Sequence, residues 1–140
     1  MTVETIGDVA FGDEITPWRP DTSLEAARSF AQAVGYSGSG RFEDHEKARA
    51  QGLPGALVPG IMGMGFLTSM IHRWAPQGKL KHIDTVFRAP MLADHDHTVT
   101  AVVTDIDEEK DEVVLDLTIK NAQEETRVFG TATVRLPSSC

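Results

Sequence analysis

Apolar residues change rhythm once along this chain, near residue 79, and the change separates a helical half from a stranded half. In the first half Leu24, Ala27, Phe30, Ala31 and Val34 recur at helical spacing. Thr22 and Glu25 have capping-box spacing and predict a helix start, and Gly35 is a natural stop. Asp44 predicts the N-cap of a short helix, Glu46–Gln51, which Gly52 ends. The next helix begins near Gly60 and carries Ile61, Met62, Met64, Phe66, Leu67, Met70, Ile71 and Trp74 on nearly every side. A helix apolar all round is a buried one, so this segment is expected to be wrapped by the rest of the fold. Gly63 and Gly65 lower its intrinsic helix propensity, which implies a packing reason for both.

Val9–Ile15 reads as a short strand closed by Thr16-Pro17. Beyond residue 79, Leu80–Phe87, Thr98–Asp105, Val113–Ile119 and Arg127–Leu136 are rich in β-branched residues and partly alternate. Asp107–Asp111 reads as a hairpin tip and Asn121–Glu125 as the following turn, with Ser37-Gly38-Ser39-Gly40 a flexible loop. The expected order is strand, helix, helix, buried helix and four strands. That is an α+β fold with an antiparallel sheet of about five strands around a long central apolar helix.

Composition narrows the class without naming a function. The 140 residues suit one domain, and 41% hydrophobic with 24% charged residues is ordinary for a globular protein. A net charge of −8 with no basic stripe excludes the usual nucleic-acid binder. The one cysteine, Cys140, rules out an internal disulfide framework and fits a reducing compartment. Acids in the first residues do not suit a signal peptide, and no apolar run reaches the ~18–20 residues that span a bilayer. A cytoplasmic protein away from membranes is the expectation.

Several local patterns invite chemistry. Asp94-His95-Asp96-His97 looks metal-like, but neighbours on a strand point to opposite faces and nothing else completes a ligand set, so no metal is expected. Gly60-Ile61-Met62-Gly63-Met64-Gly65 has neither the spacing nor the flanks of a Rossmann turn or a P-loop. His72 reads as a helix-end residue satisfying carbonyls, and His82 with Asp84 as a cross-strand pair.

Four segments together resemble the MaoC-like hydratase/dehydratase family, which has the hot-dog fold. They are Lys47–Gly55, Val58-Pro59-Gly60-Ile61-Met62, Phe87-Arg88-Ala89-Pro90-Met91 and Gly130-Thr131-Ala132-Thr133-Val134, in family order over roughly residues 8 to 136. The resemblance implies a 2-enoyl or 3-hydroxyacyl thioester as substrate, with CoA or phosphopantetheine present only as part of it and no separate cofactor. It also implies a homodimer or a heterodimer with another hot-dog chain. The family's signature, D-x-N-P-x-H-x-D, supplies an Asp and a His that move protons, and a later glycine offers its N–H to the thioester oxygen. Anchoring on Lys47–Gly52 sets Ser37 at the catalytic Asp, Phe42 at the catalytic His, Ser39-Gly40 at Asn-Pro and Asp44 at the last Asp. Pro59 stands at the turn histidine and Gly60 is kept.

Phenylalanine cannot transfer a proton, and an unactivated serine hydroxyl is a poor base. The candidate catalytic residues are therefore Ser37, Glu43 and His45, the last two if the loop shifts by a residue or two. Ser39, Phe42, Pro59, Gly60, Ile61 and Met62 are the candidate substrate-binding residues. Arg41, Arg73, Lys79, Lys81 and Arg88 are the cations available to a CoA phosphate. Three readings stay open: a hydratase or dehydratase with a non-standard site, a catalytically silent subunit beside an active chain, and a cyclase, isomerase or thioesterase.

Overall fold

The computed structural model describes residues 2–139, so Cys140 lies outside the described residues. A five-stranded antiparallel sheet is formed by β1 (Glu14–Trp18), β3 (Lys79–Phe87), β5 (His97–Asp107), β6 (Glu112–Asn121) and β7 (Thr126–Arg135), in the spatial order β1-β5-β6-β7-β3. Two residues of β2 (Leu57–Val58) pair with two of β4 (Met91–Leu92) beside it. Along β5 the inward positions His97, Val99, Ala101 and Val103 are buried, and Val113, Leu115, Leu117 and Ile119 do the same on β6. That alternation gives the sheet one apolar face.

Helix α3 (Gly60–Trp74) lies on this face and buries Met62, Phe66, Leu67, Met70, Ile71 and Trp74. It is not enclosed on every side, however: Ile61 is 47% exposed, and His72 and Arg73 are exposed as well. On its first turn Ile61 therefore faces outward while Met62 faces the core. His72 donates Nδ1–H to the Thr68 carbonyl at 2.8 Å, the helix-end role its position suggested. The two inner glycines part company. A Cβ on Gly63 would meet the Met91 methyl at 2.9 Å and Val128 at 3.5 Å, whereas one on Gly65 would meet nothing within 4 Å.

Two helices precede α3. Helix α1 (Leu24–Ala33) is capped by Ser23, whose hydroxyl accepts from the Ala26 amide at 3.1 Å, so the cap lies one residue beyond the expected Thr22. Thr22 is buried instead and donates to the His95 carbonyl at 2.6 Å. Helix α2 (His45–Ala50) begins on Asp44 as the sequence suggested, with the carboxylate accepting from Lys47 N–H at 2.9 Å. That hydrogen bond holds the Asp44 carboxyl below its usual pKa.

The first strand also departs from expectation. It occupies Glu14–Trp18 rather than Val9–Ile15, so Pro17 lies within it. An outer strand with a bulge between Ile15 and Trp18 can hold a proline, because the missing N–H is not owed to a second neighbour. Among the described residues no helix is long and apolar enough to cross a membrane.

Candidate functional site

The segment from Tyr36 to His45 is a compact loop rather than a flexible one. Gly38 and Gly40 have φ of 99° and 84°, the left-handed region that glycine enters without strain. Both amides point at Glu43 Oε1, at 2.7 and 3.4 Å. Arg28 of α1 donates to the Glu43 carbonyl at 2.8 and 3.2 Å, and Gln51 Nε2 donates to the Ser39 carbonyl at 2.6 Å. The Glu43 carboxylate is thus the buckle of its own loop. Ser37 and Ser39 lie exposed on the loop's outer side.

His45 opens α2 and is engaged at both ring nitrogens. The Ala56 N–H donates to Nδ1 at 3.0 Å, so Nδ1 holds a lone pair and the neutral ring carries its proton on Nε2. Nε2–H reaches Asp94 Oδ2 at 2.7 Å. Asp94 Oδ1 in turn accepts from the Leu24 amide at 2.8 Å. One His–carboxylate pair therefore fastens the starts of α1 and α2, the residue before β2 and the turn after β4. The hydrogen bonds from His45 and then Leu24 hold the Asp94 carboxyl below its ordinary pKa.

Beside this clasp lies a cleft of about 300 Å³ at the start of α3. Phe42, Leu57, Gly60, Phe87, Arg88 and Pro90 are among its lining residues. Phe42 packs against Tyr36 with ring centroids 6.0 Å apart, and a Cβ on Gly60 would touch the Phe87 ring at 3.5 Å. The cap of α3 is Pro59, which offers no side-chain acceptor. Met62 N–H bonds the Pro59 carbonyl at 3.0 Å; the amides before it have no intrahelical carbonyl, so they and the helix dipole favour negative charge at this end.

Of the residues singled out in the sequence, Phe42 and Gly60 line this cleft. Pro59 and Met62 are buried and Ile61 is exposed, and none of the three is among its lining residues. Ser37, Ser39, Glu43 and His45 are not among its lining residues, and the Glu43 carboxylate and the His45 ring are engaged as described. Arg88 is the cation that lines the cleft. Arg73 instead lies over the Trp18 ring at 4.2 Å, and Arg41 reaches Gln51 at 3.3 Å. Arg88 aside, no titratable side chain among the described residues lines this cleft. The Asp94–His97 run is also divided: Asp94 belongs to the clasp, His95 is exposed and His97 is buried. Among the described residues no three His, Cys, Asp or Glu side chains come together as a metal site.

Sequence reasoning missed the clasp. His45 and Asp94 are far apart in the chain, and the only local signal was an aspartate in a tight turn, where it has a positive φ of 67°.

No protein-family model matches the chain, and no curated protein matches it. Solved structures do. The R-hydratase PhaJ1 from Pseudomonas aeruginosa superposes with a TM-score of 0.88 at 15% identity, over 96% of this chain and 86% of that one. The (R)-hydratase from A. caviae involved in PHA biosynthesis gives 0.84 at 18% identity, over 92% and 98%. A chain of the ChsH1-ChsH2 complex from Mycobacterium tuberculosis gives 0.81 at 19% identity, over 91% and 98%. At such identities the likeness establishes the fold. The chain has the hot-dog fold shared by these structures, with α3 as the central helix.

Proposed function

We propose that this chain is a MaoC-like hot-dog subunit that binds a 2-enoyl or 3-hydroxyacyl thioester of CoA or a carrier protein, while a second hot-dog chain supplies the acid/base pair. The observation that carries the reading is the cleft at Gly60: it has a helix N-terminus for the thioester oxygen, apolar walls and Arg88, but no side chain able to take and return a proton. The loop that would carry such groups is held by the Glu43, Arg28 and Gln51 hydrogen bonds, with Phe42 lining the cleft.

Pairing through β3 supports the second half of the reading. This strand is a sheet edge of nine residues, and Val86 and Phe87 on it are 46% and 48% exposed. Phe87 lines the cleft, and Val86 with exposed Phe129 adds apolar surface on the sheet's other face. An open edge and an apolar border suit a second chain of the same fold. ChsH1-ChsH2 is itself a complex of two chains. A cytoplasmic location agrees with this role.

A stand-alone hydratase is the second reading, favoured by the His45–Asp94 pair, since a carboxylate-oriented histidine is a common general base. It ranks second because both ring nitrogens are engaged within the fold.

The test follows loss of enoyl-thioester absorbance with a short and a long 2-enoyl-CoA. The wild-type chain should bind both in calorimetry and turn over neither by itself. Turnover by the wild type that disappears in His45→Ala would establish the second reading. Absence of any thioester binding would remove both.

A further inference from the structure

The sheet's second face, turned away from α3, carries a regular row of acids. Glu14 of β1 pairs with Val102 of β5, Val102 with Asp116 of β6, Asp116 with Thr131 of β7 and Thr131 with Asp84 of β3. Direct partners share a face, and the adjacent residues Ile15, Ala101, Leu117 and Ala132 are buried on the inner one, so this row points outward. Glu14, Asp116 and Asp84 are exposed, and they stand on the first, third and fifth strands of the sheet. Among the described residues none of the three is in a salt bridge. The flanking rows of paired residues through Thr118 and Val114 contain no lysine or arginine.

The row runs along a trough. A cleft of about 370 Å³ has Asp84, Val86, Asp116 and Phe129 among its lining residues, and one of about 360 Å³ has Glu14, Pro17, Thr100 and Asp116. Asp116 and Thr118 line both, so the two join across all five strands. Val86 and Phe129, 46% and 41% exposed, pair with each other in the next row and give the trough an apolar wall. Acids without cations of their own, beside exposed apolar side chains, complement a basic and partly apolar partner and repel an acidic one.

The spacing selects the partner's conformation. Strands lie about 4.8 Å apart, so acids on alternate strands stand about 9.6 Å apart. A polyproline II segment has three residues per turn and rises about 3.1 Å per residue, which returns every third side chain to one side at intervals of about 9.3 Å. A β-strand puts residues three apart on opposite sides. An α-helix returns cations to one side every seven residues, about 10.5 Å apart, and falls out of step by about 2 Å over the row. Prolines between the cations also suit the Val86–Phe129 wall, because proline-rich segments dock on aromatic surfaces.

We infer that this trough docks a proline-rich basic segment of another protein, in which Arg or Lys at every third position faces Asp84, Asp116 and Glu14. The trough lies on the face opposite α3 and its Gly60 cleft, so the inference stands apart from thioester binding.

The test is fluorescence anisotropy on the purified protein with two labelled peptides of one composition. One has three Arg-Pro-Pro repeats; the other has its three arginines consecutive, followed by its six prolines. The repeat peptide should bind about tenfold more tightly, as three exposed charge pairs allow, and should weaken as salt rises from about 0.05 to about 0.3 M. Glu14→Gln/Asp84→Asn/Asp116→Asn should erase the preference while thermal unfolding stays as in the wild type. Glu46→Gln/Glu108→Gln/Glu109→Gln, which removes as much charge from exposed positions outside the trough, should keep it. Equal affinities for the two peptides, as general attraction to a chain of charge −8 would give, overturn the inference. So do binding of neither peptide and a preference that survives the first variant.

Discussion

Gly130→Ala should detach the sheet's open edge. Gly130 lies on β7 opposite Thr85 of β3 and Leu117 of β6. A Cβ there would overlap the Asp84 carbonyl oxygen and stand 2.9 Å from its carbon and 3.1 Å from Thr85 Cα. These are backbone atoms, so no rotamer relieves the overlap and one strand has to move. Strand β3 yields, because among the described residues it pairs with β7 alone while β7 is held on both sides. The displacement breaks about two ladder hydrogen bonds at about 1 kcal/mol each. It also draws Leu80 and Ile83, partly buried against the core, away from it at about 1 kcal/mol each. The sum, about 3–4 kcal/mol, is a large share of the ~5–15 kcal/mol that keeps a domain folded. With an m-value of about 2 kcal/mol/M, the urea midpoint should fall by about 1.5–2 M. Hydrogen exchange should accelerate first in β3 and leave β5 and β6 protected. A midpoint within about 0.3 M of wild type, with β3 still protected, would refute the steric argument.

Three further outcomes are expected. Gly65→Ala should raise stability by up to about 1 kcal/mol in the same urea titration, because the added methyl meets nothing and alanine is the better helix former. Ser23→Ala should lose about 1 kcal/mol and fray the start of α1, visible as faster exchange of the Ala26 amide. Asp94→Ala should lower the melting temperature at pH 7 and loosen the starts of α1 and α2 together. Since its folded pKa is depressed, the stability that Asp94 contributes is fully present above the unfolded carboxylate value of about 3.9 and fades as pH falls through the folded one. The gap between wild type and variant should therefore close in acid; a gap that persists at pH 2 would mean the carboxylate's charge is not what holds the clasp.

Elements whose pattern is set by their own residues were readable in the sequence. The four C-terminal strands and α3 fall where alternation and helical spacing put them, and Asp44 caps α2 because capping is a matter of three neighbouring residues. Features decided by distant partners were not. Thr22 had the right spacing for a cap, yet the His95 carbonyl claims its hydroxyl and passes the cap to Ser23. Strands β2 and β4 pair over two residues each, too short to leave a period. At the site, the resemblance singled out Phe42 and Gly60, and both line one cleft. The engagement of His45 by Asp94 and Ala56, and of Glu43 by two glycine amides, needed the folded chain. So did the bulge that leaves Arg127 between the Lys120–Thr126 and Ile119–Val128 pairs, since a single extra residue shows only against its partner strand.

The order of strands has a consequence for how the chain is made. Strands β5, β6 and β7 pair with their neighbours in sequence, whereas β1 pairs with a strand that follows it and α3 lies on a sheet whose strands, β1 apart, all follow it. Emerging from the ribosome N-terminus first, the chain presents the apolar face of α3 before any of the meander that will cover it exists. Closing those long connections waits on the last strands to be translated. A nascent chain arrested before β5 should be protease-sensitive throughout and should bind a hydrophobic-peptide chaperone, and release of the final strand should end both at once.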